Sequence, residues 1–150
     1  MELEPRHASD HHTLTALLLH QRALLERLRY RHIQLRVLLE AGESRFLGRA
    51  IDELADAEEE LTDVEEARAS VAAGLAEIAG LPERADLRTL SSTAPTHLAG
   101  LLTSLGEDLE ALLAEVEAER RAARTIAHAR VGMLASGAGD GRHAPGAGSV

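Results

Sequence analysis

Residues 47–78, LGRAIDELADAEEELTDVEEARASVAAGLAEI, place Leu47, Ala50, Leu54, Ala57, Leu61, Val64, Arg68, Val71, Leu75 and Ile78 at alternating steps of three and four. That repeat averages 3.5 residues and draws one apolar seam along a helix, which must bury it against other helices. Upstream, Leu14, Leu18, Leu25, Leu28, Leu35 and Leu39 form a second seam, widened by Leu17, Leu24 and Leu38 and interrupted by Gln21 and His32. Downstream, Leu98, Leu102, Leu105, Leu109, Leu112 and Val116 form a third, which weakens at Glu119 and Arg130.

Short connections join the three. Ser9 or Asp10 is placed to cap the first helix, which the pattern carries over about 10–41. Gly42 then supplies a left-handed stop, and Ser44 starts a second helix over about 44–79. Gly80-Leu81-Pro82 ends it: glycine for the left-handed position, leucine to fold back, proline to forbid continuation. Asp86 caps a short turn over about 87–92, and Pro95 opens a third long helix over about 95–135. Residues 1–8 read as a flexible leader and 137–150, rich in Gly and Ala, as a disordered tail. The expected fold is therefore all-α, an elongated antiparallel three-helix bundle over 9–136 with coiled-coil-like packing.

Composition narrows the function. The 150 residues are 45 % apolar, but Tyr30 and Phe46 are the only aromatics, so pockets for planar ligands are not expected. Cysteine is absent, which removes disulfides and thiol chemistry and fits a cytoplasmic location. The start of the chain lacks the apolar stretch of a secretory signal, and no run approaches the roughly 20 apolar residues of a membrane span. Of the net charge of −9, most falls in residues 41–80, where eleven acids face three arginines, so nucleic acid is not an expected partner.

Candidate chemical motifs are sparse. His7, His11 and His12 have helical spacing but only Asp10 nearby, so no metal site and no cofactor are expected. The run Glu58-Glu59-Glu60 with Asp63, Glu65 and Glu66 lacks the spacing of a calcium loop. An enzymatic alternative is a small all-helical mutase in which Arg68, the sole charge on the second seam, joins Arg120 or Arg130, with Glu119 for acid–base work. The plainer reading of Arg68 is a side chain whose stem covers the seam, and a non-enzyme is expected.

The order of features resembles the FlgN-type flagellar export chaperones. The residues that carry the likeness are Leu24-Leu25-Glu26-Arg27-Leu28, Leu35-Arg36-Val37-Leu38-Leu39-Glu40-Ala41-Gly42, Phe46-Leu47 and Ile51-Asp52-Glu53-Leu54, then the acidic stretch through Glu65-Glu66. Gly80-Leu81-Pro82, Leu87-Arg88-Thr89-Leu90 and Ala94-Pro95 continue it, so that it spans about residues 14–134. The chain departs from the family late in the third helix, with Glu119-Arg120 and no aromatic after Phe46. The resemblance implies a cytoplasmic protein that keeps the C-terminal helical segments of hook-associated proteins soluble. It would deliver them to the flagellar type III export gate or its ATPase complex. Leu112, Leu113, Val116, Ile126, Val131 and Met133 are the expected partner-binding strip, because they exceed what the third seam uses. A helical scaffold or dimerisation adaptor is the alternative, since such seams also serve a homodimer.

Overall fold

The computed structural model describes residues 5–140. Four helices pack against one another: α1 (Pro5–Ala41), α2 (Leu47–Ala79), α3 (Leu87–Ser91) and α4 (Thr96–Asp140). No strand occurs among the described residues, and no helix is long and apolar enough to cross a membrane. Residues 1–4 of the expected leader and 141–150 of the expected tail lie outside the described residues.

The stops read from glycine hold at atomic detail. Gly42 has φ +68°; its amide donates to Leu39 and the Glu43 amide donates to the Leu38 carbonyl at 3.1 Å. Gly80 repeats the device with φ +69°, and the Leu81 amide closes on the Ala76 carbonyl at 2.8 Å. Both are left-handed caps that satisfy carbonyls the helix would otherwise strand. Asp86 caps α3 by accepting from the Thr89 amide at 2.8 Å. Hydrogen bonds from the Thr89 side chain and from its amide hold the Asp86 carboxyl below its ordinary range.

Several boundaries move. Helix α1 begins at Pro5, so Ser9 and Asp10 lie inside it and do not cap it. Proline suits a first helical turn, where its missing N–H has no partner to lose. Helix α2 begins at Leu47 with Phe46 ahead of it and no side-chain cap, three residues later than Ser44 suggests. Helix α4 runs on to Asp140, through Gly137-Ala-Gly139.

Helix α1 is the central element. Its seam residues Leu14, Leu18, Leu25 and Leu28 are sealed, and so is Leu24 beside them. Each fully buried leucine contributes about 1.5–3 kcal/mol relative to exposure. From α2 the core receives Ala57, Leu61, Val64 and Leu75; from α4, Leu102, Leu105, Leu109 and Val116. Ile78, the last residue of the predicted α2 seam, is instead half exposed. A 3.5-residue repeat on a straight helix drifts by about 20° per heptad, so a seam held from Leu47 leaves the core before Ile78.

Ion pairs fix the directions. Arg27 reaches Glu60 and Arg31 reaches Glu53, so α2 runs antiparallel to α1. Arg22 reaches Asp108 and Arg29 reaches Glu115, so α4 runs parallel to it. Arginines of α1 thus meet acids of both neighbours, Glu53 and Glu60 on α2 and Asp108 and Glu115 on α4.

Candidate binding cleft

Helices α2 and α4 both lie on α1, yet among the described residues no Cα of one comes within 8 Å of the other. Neighbouring helices pack about 8–10 Å apart between axes, so α2 and α4 are held further apart than packed neighbours, as diagonal corners of a four-cornered bundle would be. Helix α3 and its approaches fill the fourth corner at one end, where Leu81, Leu87 and Leu90 pack on the core. Toward the α1–α2 turn, which is the tip, the corner is open.

The result is a cleft between α2 and α4 floored by α1. Gln21 lines its α3 end, Leu25 and Leu28 its middle, and His32, Leu35 and Leu39 its tip. These floor residues are the first seam itself, spaced four, three, four, three and four. Neighbouring sections share Glu65 and Leu113, then Glu58 and Arg120, so the cleft is continuous. It encloses about 560 Å³ at the α3 end and about 350 Å³ at the tip.

The tip is apolar: Leu35, Leu39, Leu47, Ile51, Leu54, Ala123 and Ala127 line it, and Ile51 is 52 % exposed. Midway, Arg120 of α4 reaches across to Glu58 of α2 at 3.3 Å and to Glu117 at 3.2 Å. His32 lies beneath this bridge, its Nε2 3.9 Å from Glu58 Oε1. Burial, reinforced by the Arg120 cation, holds the imidazole below its ordinary value of 6.5 against the pull of Glu58, Glu119 and Glu117. At the α3 end stand Arg68, Asp86, Arg88, Thr103 and Glu107. Thr103 Oγ1 donates to Ser91 Oγ at 3.1 Å, tying α3 to α4.

Three groups on this cleft have polar atoms without partners: Gln21 Oε1, Arg68 Nε and both ring nitrogens of His32. A buried polar atom left unpaired costs about 1–3 kcal/mol.

The predicted strip does not hold together. Val116 is 3 % exposed and packs in the core, where it borders the middle of the cleft. Leu112 is half-buried against the core on the outer flank of α4, beside Arg22 and Glu26 of α1. Leu113 lies on the opposite flank and lines the cleft. Ile126 is half-buried, while Val131 and Met133 are 64 % and 73 % exposed. Two residues along a helix are about 200° apart around its axis, so Val131 and Met133 face opposite ways. Counting by the same rule puts Val131 with Leu113 on the cleft side, and Ile126 with Met133 on the other.

Nor does the structure gather the residues of a mutase. Arg68 shares no section of the cleft with Arg120, Arg130 or Glu119. Glu119 accepts from Arg36 at 2.9 Å, which with Glu40 holds the guanidinium above its ordinary pKa. Arg130 donates to the Glu40 carbonyl at 3.1 Å, at the end of α1. Among the described residues no group of three His, Cys, Asp or Glu side chains is placed to hold a metal ion. His11 is buried within α1, and His12 packs its ring 5.8 Å from that of His97.

Leu35, Leu39, Ile51, Leu54 and Ala127 were missed as binding candidates. Ile51 carried a signal: it is a large apolar residue just off the second seam, on the side where that seam has no further use for it. No protein-family model, curated protein or solved structure matches this chain, so its own geometry has to indicate what the cleft could hold.

Proposed function

We propose that the chain is an elongated bundle of three long helices, antiparallel between α1 and α2, that receives a helix of another polypeptide in its open corner. One observation carries this reading: α2 and α4 flank α1 with their backbones held apart, and the apolar side chains between them at the tip stay partly exposed. A groove of helix width with apolar walls is the site an amphipathic helix fills. Such a helix would touch α2 and α4 as an adjacent corner does, completing the four-cornered arrangement.

The resemblance to FlgN-type proteins gives the client its identity: the C-terminal helical segment of a hook-associated protein, held in the cytoplasm until it reaches the export gate. Helices that pair only after assembly expose apolar faces beforehand and aggregate unless covered. The half-open cleft suits reversible cover, because an enclosed site would hold its cargo too firmly to release it. Co-purification of the chain with hook-associated proteins from the same genome tests the reading. A stoichiometric complex is expected, and Ile51→Asp should abolish it while the melting temperature holds. Failure of every hook-associated segment to bind would leave a scaffold or self-pairing adaptor as the better account.

A further inference from the structure

The floor of the cleft is a leucine seam broken twice, at Gln21 and His32. Each residue is only 3 % exposed, and each has unpartnered polar atoms. Leucine at both positions would continue the seam and bring no polar atom into it. The two lie on one face of α1, eleven residues or three turns apart, which is about 16 Å along the helix. Each also has a polar neighbour on the cleft: Arg68, with its Nε unpartnered, shares the section lined by Gln21, and Glu58 stands 3.9 Å from His32.

We propose that Gln21 and His32 are the reading positions of the cleft, satisfied by two hydrogen-bonding side chains about three turns apart on a client helix laid between α2 and α4. This rests on the helix-receiving function above and specifies what the client must carry. Gln21 Oε1 needs a donor and Arg68 Nε–H needs an acceptor. A single Asn or Gln side chain supplies both. Neutral His32 presents one N–H and one bare nitrogen, which a hydroxyl or a second amide answers. Charge along the lips sets the client's direction. At the α3 end Glu65, Asp86, Glu107 and Glu110 outnumber Arg68 and Arg88, and at the tip Arg120 and Arg124 outnumber Glu58, so the client's basic end belongs toward α3. An all-leucine helix would leave the buried atoms unpaired.

The experiment uses the full chain and its Gln21→Leu, His32→Leu and double variants. It measures thermal midpoints at pH 7.5 and the Kd of a labelled peptide spanning the C-terminal helix of a hook-associated protein. The double variant is expected to melt several degrees higher while binding the peptide at least tenfold more weakly. A lower midpoint would show that the two residues serve the interior, and a higher midpoint with unchanged Kd would show that the client does not read them. Either result overturns the proposal. So does sedimentation of the wild-type chain as a dimer that the double variant dissociates, because the occupant would then be a second copy. If the wild-type chain binds no such peptide, the export reading falls. The melting comparison still decides: a rise keeps Gln21 and His32 as groups held open for some other helix, and a fall removes that role.

Discussion

At His32, the buried neutral imidazole makes folding depend on pH. It is faced by Glu58 of α2 and by Arg120, Glu117 and Glu119 of α4, and burial dominates, so its pKa in the folded chain lies below 6.5. The unfolded chain therefore takes up the proton first as pH falls. The stability that neutral His32 contributes is complete above pH 6.5 and is lost as pH drops through the lowered folded value. Thermal midpoints should fall between pH 7.5 and 5.5, and His32→Leu should flatten that slope; parallel slopes would contradict the assignment. Gly42 and Gly80 offer a second comparison. Both have positive φ, so alanine is strained at either. A Cβ at Gly80 meets nothing within 4 Å, whereas one at Gly42 would stand 3.0 Å from Arg130 Nη1. Arg130 can swing aside, but only by giving up its bond to the Glu40 carbonyl. Gly42→Ala should therefore cost about 1 kcal/mol more than Gly80→Ala in chemical denaturation, and Arg130→Ala should erase the difference.

At the scale of the helix, α4 separates what a list of apolar residues runs together. Val116 faces the α1 core and Val131 faces solvent, though the same substitution can be written at both. Val116→Asp buries a carboxylate with no partner and should remove about 4 kcal/mol or more, enough to unfold the chain. Val131→Asp should stay within about 0.5 kcal/mol of the parent by the same measurement. Equal effects would mean that α4 is rotated from its described orientation. This pair also shows how far the sequence could be read. Gly42, Gly80 and Asp86 act through local backbone chemistry, and each does what its residue type foretells. The leucine seams show that α1, α2 and α4 bury a face, but a seam does not say what covers it. Leu113 and Ile126 look alike in one dimension, and their opposite flanks emerge only by counting turns. The cleft depends on α2 and α4 standing apart, a relation between elements distant in the chain. Gln21 and His32 were visible as interruptions of the first seam, but their unpaired atoms were not.

In the molecule as a whole, packing density falls from the α3 end to the tip. Near α3, helix α4 meets both α1 and α3, with Leu98, Leu102, Leu105 and Leu109 buried. Past Val116, among the described residues, only Ala123 is buried. Arg130 then meets the last turn of α1 at Glu40, and because the two helices run parallel, α4 continues beyond the end of its partner. Val131, Gly132 and Met133 are exposed there. Helical segments without tertiary packing are marginal in water, since propensity alone scarcely offsets the ordering of the chain. Amide hydrogen exchange should therefore be graded along α4, slow near Leu105 and at least about tenfold faster around Ala127. A client helix lying in the open corner would cover the tip from the α2 side and steepen protection where the free chain has least. On adding the client peptide, exchange should slow around Ile51–Arg68 and Leu113–Val131, the stretches that border the cleft, with amides near Leu102 unchanged because α3 already packs there. Uniform slowing along α4 would indicate general tightening of the bundle and not occupation of the corner. Slowing confined to the outer flank, at Leu112 and Ile126, would place the client on the other side of the helix.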